Sequence, residues 1–124
     1  MSRLDFYRKM EFIARRDFSD IIERTGSDNE SCRVYFFDTS FLEVWLGSNA
    51  DPMIRYAFHW ERRHVDGTLF RHDNAPHMRW GFVSSFPKHF HDGSEESVVE
   101  SMLPESPLDA FVYFMTFIRN FLKK

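Results

Sequence analysis

The segment FRHDNAPHMRWGFVSSFPKHFHDG, residues 70–93, concentrates the titratable side chains of this chain. It holds four of the six histidines, together with two arginines and two aspartates. Imidazole exchanges protons near neutral pH and is also a common metal ligand. Because convergent titratable groups are typical of functional sites, we predict that this segment contains an active site.

The HFH triplet supplies the first candidate pair. Side chains alternate along an extended strand, so His89 and His91 are expected to point to the same side. Two neighbouring imidazoles can act as a general acid and a general base, or as two ligands of one metal ion. Asp73 and His77 complete the cluster if the loop folds back. They then either orient an imidazole or join both histidines in a ligand set for zinc, manganese or nickel.

Arg71 lies at the end of a predicted strand, next to this loop. A guanidinium there can bind a phosphate through two hydrogen bonds and stabilise the charge that develops during phosphoryl transfer. The alternative is an ion pair with Asp73 or Glu61, and residue types alone do not separate the two. The Asn-Ala-Pro sequence is interpreted as a turn that presents His77.

These residues fit the cleavage of RNA without a metal or any other cofactor. That reaction needs a base for the 2′-hydroxyl proton, an acid for the leaving oxygen and a cation for the developing charge. His89 and His91 are assigned the first two roles in either order, and Arg71 the third. The alternative is a metal-dependent nuclease in which Asp73, His77, His89 and His91 bind a divalent ion.

The elements that must position these side chains predict an α+β fold. Apolar spacing predicts a helix over residues 3–24 with Gly26 as its stop, and a second helix from Pro107. The runs CRVYFFD, SFLEVWL, MIRYAFHWE and GTLFRHD predict strands, and SVVESM adds a short one. We therefore expect an antiparallel meander sheet of four to five strands, flanked by an N-terminal and a C-terminal helix, in one domain over residues 1–124.

The first helix carries a basic face that consists of Arg8, Lys9, Arg15 and Arg16, with Phe12 among them. Such a face is either solvated or contacts phosphate or a partner protein. We assign these four residues to substrate binding, together with His59 on the polar face of its strand. In a third hypothesis the protein is a non-catalytic binding module that acts through this helix and the C-terminal helix.

The composition of the chain excludes several classes of protein. The net charge of −3 and the pI near 6.0 exclude a generally cationic nucleic-acid-binding protein. The single Cys32 excludes an internal disulfide framework and a thiolate metal cluster. The longest apolar run, AFVYFMTFI, is too short to cross a bilayer. We expect a soluble cytoplasmic protein without a membrane partner, and a homodimer if the wide phenylalanine stripe of the last helix also packs on a second copy.

The histidine segment resembles a known family. RHDNAPHMR followed by FPKHFH resembles the R-x-D-N-A-P-H-H … F-P-x-H-x-H signature of the TumE-like toxins, and IRYAFHW is similar to their R-Y-S-Y-H-W strand. The similarity covers nearly the whole chain in order and length. The chain departs from the pattern at Met78, which replaces a second histidine, at His72, and in a longer spacer.

This resemblance implies a growth-inhibiting toxin of a type II toxin–antitoxin module. Its implied partner is a cognate helix-turn-helix antitoxin that neutralises it by direct binding. The roles of individual residues follow from their chemistry, and the leading hypothesis is an endoribonuclease with RNA as its substrate. With the toxin function implied, the third hypothesis above becomes a non-catalytic toxin that acts through the first helix and the C-terminal helix.

Overall fold

The computed structural model describes all residues, 1–124. The chain runs α1 (Arg3–Asp17), β1 (Ile22–Ser27), β2 (Ser31–Phe36), β3 (Phe41–Leu46), β4 (Tyr56–Arg62), α2 (Arg63–Asp66), β5 (Thr68–Asp73), β6 (His89–Gly93), β7 (Val98–Glu100) and α3 (Pro107–Leu122). All seven strands form one antiparallel sheet in chain order. The predicted α+β class and meander are therefore confirmed. The sheet has more strands than the predicted four to five.

The predicted first helix is too long. It ends at Asp17, with Phe18 as its C-cap, and the chain continues as β1. Ile21 and Ile22 are buried beyond the helix and extend its apolar spacing. Gly26 pairs with Arg33 inside β1 instead of ending the helix. Pairing with β2 decides the conformation here, as tertiary context often does for strands.

The remaining differences and agreements with the prediction lie in the second half of the sheet. The HFH triplet begins β6, a strand of the sheet that the predicted count of four to five did not include. The predicted SVVESM strand is β7, which pairs with β6. Asp-Gly at 66–67 ends the one-turn helix α2, where Gly67 adopts the left-handed conformation with φ 82°. This is a backbone region that glycine enters at little cost.

Helices α1 and α3 cover one face of the sheet. The core between the two helices and the sheet contains the alternating buried residues of the central strands, including Val44, Phe58 and Trp60. The rings of Phe117 and Phe121 on α3 lie 6.3 and 5.1 Å from the Trp60 ring. The apolar arc of α3 is thus used within the monomer, where each large buried side chain contributes roughly 1.5–3 kcal/mol.

The opposite face of the sheet, which we call the open face, carries polar residues. Antiparallel pairing places five of them side by side across successive strands: Arg33, Glu43, His59, Arg71 and His91. We call this line the polar row. The connection between β5 and β6 folds over one end of the open face and contains a short turn at Met78–Trp80.

No helix combines the length and the apolar character that crossing a bilayer requires.

Candidate active site

Strands β5 and β6 bring the predicted residues together. Their register places Arg71 opposite His91 and Asp73 opposite His89. Because residues two apart in a strand share a face, all four side chains lie on the open face. His89 and His91 point to the same side, as the alternation of the HFH triplet predicts, and their ring centres are 5.0 Å apart.

Asp73 is the centre of the cluster. Its Oδ1 lies 3.1 Å from His89 Nε2 and its Oδ2 lies 3.6 Å from His91 Nε2. It also accepts hydrogen bonds from Arg71 Nε and from the backbone N–H of Ala75, both at 3.0 Å. Burial alone would raise the pKa of Asp73, but these partners outweigh it and lower the pKa to about 2. The carboxylate is therefore ionised at neutral pH.

Backbone carbonyls orient both histidine rings. His89 Nδ1 lies 2.9 Å from the Pro87 carbonyl, and His91 Nδ1 lies 2.9 Å from the Glu95 carbonyl. A carbonyl oxygen only accepts, so each Nδ1 carries a hydrogen and each Nε2 is left to face Asp73. An unprotonated Nε2 would direct its lone pair at the carboxylate. The position between the three groups is therefore suited to a positive charge, either a proton or a metal ion.

Arg71 is held by carboxylates on two sides. Its Nη1 and Nη2 donate to the two oxygens of Glu95, each at 2.8 Å, and its Nε donates to Asp73. The predicted ion pair with Asp73 is present, whereas the predicted alternative partner Glu61 binds Arg63 instead. Glu95 enters the site from the hairpin between β6 and β7. Sequence reasoning missed Glu95, because its approach to Arg71 depends on the pairing of β6 with β7, which returns the chain beside His91.

His59 extends the cluster along β4. Its Nδ1 accepts a hydrogen bond from Arg71 Nη1 at 3.3 Å, and its Nε2 lies 3.1 Å from Glu61 Oε1. Nε2 therefore carries the ring hydrogen and donates it to Glu61. Burial lowers the pKa of His59, and the hydrogen bond from Arg63 lowers the pKa of Glu61 to about 2. A neutral imidazole thus adjoins the Arg71 guanidinium.

A cavity of about 300 Å³ opens onto these groups, and we call it the histidine pocket. Its lining includes Arg71, Asp73, His89 and His91, and its outer wall consists of Trp45, Arg55, His77, Arg79 and Trp80. The Trp80 ring packs edge-on against His91, with the ring centres 5.8 Å apart. His89 and His91 are only 1% and 2% exposed. Substrate must therefore reach them through this cavity.

The other two histidines of the segment occupy different environments. His77 is exposed at the rim of the histidine pocket and lies outside the cluster formed around Asp73. His72 points to the opposite face of the sheet, which α1 and α3 cover and which we call the helical face. There its ring stacks on Phe90 with centres 4.2 Å apart, and its Nδ1 lies 2.7 Å from Ser101 Oγ. Burial lowers the pKa of His72 to about 3, so it is a neutral core residue.

Asn74 fixes the end of β5 to the start of β4. Its Oδ1 accepts from the Tyr56 N–H at 3.0 Å, and its Nδ2 donates to the Ile54 carbonyl at 3.0 Å. The predicted turn residue therefore binds a distant segment and does not act only on its own loop. This contact holds Asp73 and the start of the loop in place.

The basic residues of α1 are not part of the pocket. Helix α1 packs on the helical face, where Cys32 Sγ lies 3.7 Å from the Tyr7 carbonyl. Arg8, Lys9, Arg15 and Arg16 are exposed on the far side of the sheet from the histidine pocket. Arg15 binds Glu11 and Thr25, and Arg16 binds Asp17. Of the predicted substrate-binding residues, the structure brings only His59 to the cluster.

Three residues of the cluster also fit a metal ion. One ligand atom from each of Asp73, His89 and His91 lies within 4.8 Å of the other two, whereas His77 is not in this set. Two imidazole nitrogens and a carboxylate oxygen suit zinc, manganese or iron. The hydrogen bonds from each Nδ1 to a carbonyl are the usual outer contacts of metal-binding histidines. The donor set and its orientation are therefore compatible with a divalent cation.

A family model described as Toxin TumE matches residues 5–122. The match covers nearly the whole chain and includes every residue of the histidine pocket. No match was found among curated proteins or among solved structures.

Proposed function

Because this chain belongs to the TumE toxin family, whose members are toxins of toxin–antitoxin systems, we propose that it acts as an endoribonuclease in the histidine pocket. The observation that carries the proposal is the convergence of His89 and His91 on one ionised carboxylate, beside Arg71, in an open cavity. In this proposal the module is of type II. Its antitoxin is a helix-turn-helix protein that neutralises the toxin by direct binding.

The chemistry divides among the four groups. One histidine, unprotonated at Nε2, removes the proton from a ribose 2′-hydroxyl while that oxygen attacks the neighbouring phosphorus. The other histidine, protonated and held by Asp73, gives its proton to the 5′-oxygen as the phosphorus–oxygen bond breaks. A 2′,3′-cyclic phosphate and a 5′-hydroxyl are left. Asp73 positions both rings, and general acid–base catalysis of this kind contributes about 10²–10⁴-fold to a rate.

Arg71 supplies the positive charge near the phosphate. Preorganised cations are most effective where negative charge develops in a site from which water is partly excluded. Four of the five N–H groups of Arg71 are used by Asp73, Glu95 and His59. Binding a phosphate through two N–H groups therefore requires the half-exposed Glu95 carboxylate to move aside.

Asparagine variants test the proposal. In His89→Asn and His91→Asn the amide nitrogen can replace Nδ1 in the bond to the backbone carbonyl, while Nε2 is lost. We expect each variant to remain folded and to lose about 100-fold or more of the rate of RNA cleavage. The matched control is His64→Gln, because His64 lies outside the pocket and binds the Thr39 carbonyl through Nε2. A folded double variant that cleaves RNA and inhibits growth like the unmodified protein would show the proposal to be wrong.

A metal-dependent nuclease is the second candidate, and one observation favours it. The Nε2-to-oxygen separations of 3.1 and 3.6 Å resemble those between ligands that share one ion, since metal–ligand bonds of about 2.1 Å place neighbouring ligands about 3–3.5 Å apart. Here Asp73, His89 and His91 would hold the ion, which would activate the attacking group as a Lewis acid. Arg71 would keep its role at the phosphate.

Metal content and thermal stability separate the two candidates. The metal version predicts bound divalent metal in the purified protein and a rise in Tm on adding zinc or manganese, which Asp73→Asn abolishes. Elemental analysis and thermal unfolding measure these directly. A chelator-treated, metal-free protein with full activity would contradict the metal version and favour the acid–base version.

A further inference from the structure

We propose that the open face of β1–β4 binds single-stranded RNA and leads it into the histidine pocket. This inference rests on the proposed function, because it names the surface by which the same site receives its substrate. It differs from the sequence-based expectation, which places substrate binding on α1.

The first support is the continuity of the surface with the pocket. The polar row runs from Arg33 through Glu43 and His59 to Arg71 and His91, one residue on each strand from β2 to β6. With neighbouring strands about 4.8 Å apart, this row is about 19 Å long. An extended strand of RNA laid along it would end with a phosphate at Arg71, beside the two catalytic imidazoles.

The second support is a set of arginines stacked on aromatic rings. The Arg24 guanidinium lies 3.7 Å from the centre of the Tyr35 ring, and that of Arg33 lies 4.5 Å from the Phe41 ring. Arg79 repeats the arrangement at the pocket rim, 4.3 Å from the Trp80 ring. Stacking leaves the outer side of each guanidinium open to solvent. Arg33 also donates from Nε to Glu43 Oε2 at 2.7 Å, whereas Arg24 and Arg79 have no carboxylate partner. Flat guanidinium groups and aromatic rings both accept unpaired bases and phosphates.

The third support is unneutralised charge. Three exposed arginines on this side of the sheet have no carboxylate partner: Arg24, Arg55 and Arg79. Arg24 lies at the β1 end of the surface, whereas Arg55 and Arg79 lie at the pocket. A polyanion that follows the polar row would meet one free cation at its start and two at its end.

Trp45 lies at the entrance of the histidine pocket. It is 37% exposed, faces the open side of β3 opposite Ala57, and forms part of the pocket wall beside Arg55. Stacking of a base on an aromatic side chain contributes to single-strand binding without regard to sequence, since every base has a flat face. An exposed ring of this kind favours an unpaired strand, whose bases are free to stack.

Charge-matched variants test this surface. The first removes Arg24, Arg55 and Arg79 by alanine substitution, and the second removes Arg8, Lys9 and Arg16 on α1. Both change the net charge equally, and none of the six side chains is buried. The probe is a fluorescein-labelled, 2′-O-methylated single strand of about 12 nucleotides. Because this probe has no free 2′-hydroxyl, its binding is measured whether or not the protein cleaves RNA.

We expect the open-face variant to bind the probe at least tenfold more weakly, and the α1 variant to bind within twofold of the unmodified protein. Each phosphate contact to a single strand contributes about 0.7 to the slope of log affinity against log salt concentration. Three lost contacts should therefore reduce that slope by about 2. Trp45→Ala should also weaken binding, whereas the control Phe12→Ala, which removes a 57% exposed ring on α1, should not.

Three results would overturn the inference. They are unchanged binding of the probe by the open-face variant, a larger loss of binding in the α1 variant than in the open-face variant, and no binding of the probe by the unmodified protein. In the first case, if the open-face variant is also no longer neutralised by the antitoxin, the open face is a protein-binding surface instead. Specific binding without cleavage of unmodified RNA would leave the inference standing and contradict only the ribonuclease proposal.

Discussion

Arg71 and Glu95 face each other in a two-point ion pair, in which Nη1 and Nη2 each lie 2.8 Å from a carboxylate oxygen. A phosphate binds an arginine through the same two nitrogens. The Glu95 carboxylate therefore occupies the place on Arg71 that a substrate phosphate would take. Its side chain is 44% exposed, so solvent is available to it when it leaves.

Replacing this carboxylate should strengthen phosphate binding. In Glu95→Gln the competing charge is lost, and we expect inorganic phosphate to bind about twofold to fivefold more tightly, since a solvent-exposed ion pair contributes only about 0–1 kcal/mol. Isothermal titration measures the affinity. Glu96→Gln is the matched control, because Glu96 is exposed and forms no ion pair. Equal phosphate affinities in both variants would show that Glu95 does not compete for Arg71.

Asp73→Asn should flatten the acid dependence of stability. The pKa of Asp73 is lowered from its ordinary 3.8 to about 2 in the folded protein. A lowered carboxyl pKa stabilises the fold above the unfolded value and loses this contribution as the pH falls through about 2. The unmodified protein should lose about 2 kcal/mol of unfolding free energy from this group between pH 5 and pH 2.

Urea unfolding across that pH range measures the difference between the two proteins. Asp73→Asn will be less stable at neutral pH, because Arg71 loses a charged partner, but its stability should change less with pH. An equally steep decline in both proteins would show that Asp73 is not the group responsible.

His72→Asn should remove a different pH dependence, at higher pH. Burial lowers the pKa of His72 from 6.5 to about 3. The unfolded chain therefore binds a proton that the folded protein does not, and stability falls as the pH decreases below about 6.5. Asparagine does not ionise and can keep a hydrogen bond to the Ser101 hydroxyl. We expect the loss between pH 7.5 and pH 5 to be smaller by about 1–2 kcal/mol in the variant.

The same variant separates the helical face from the pocket. His72 lies on the side of the sheet opposite His89 and His91, so His72→Asn should keep RNA cleavage within about threefold of the unmodified rate when compared at pH 7.5. A loss comparable to that of His91→Asn in folded protein would contradict the assignment of His72 to the core.

Asn74→Ala should destabilise the fold through two lost bonds. Its side chain binds the backbone of Tyr56 and of Ile54, and both backbone groups would lose their partner. We expect a loss of about 1–3 kcal/mol in unfolding free energy. Asn120→Ala is the control, because Asn120 is exposed on α3. Similar stabilities of the two variants would show that solvent replaces both bonds.

Periodicity along the chain determined the elements whose apolar residues all face one neighbour. The stripe of α3 and the alternation in β2 to β5 predict those elements because burial on one side imposes the period of a helix or a strand. The same rule places His89 and His91 on one side. The incorrect prediction that the first helix continues to residue 24 has the same origin, since Ile21 and Ile22 continue a helical spacing although the chain has already entered the sheet.

Only the tertiary structure decided which side each element presents and which distant groups meet. Periodicity does not say that α1 covers the face opposite the histidine pocket, so its basic residues are far from the groups that they were expected to serve. Nor does it show that the β6–β7 hairpin brings Glu95 back to Arg71, or that His72 points into the core. These outcomes depend on strand order, register and turn length, which are set by how all the apolar faces pack together and not by any local stretch of sequence.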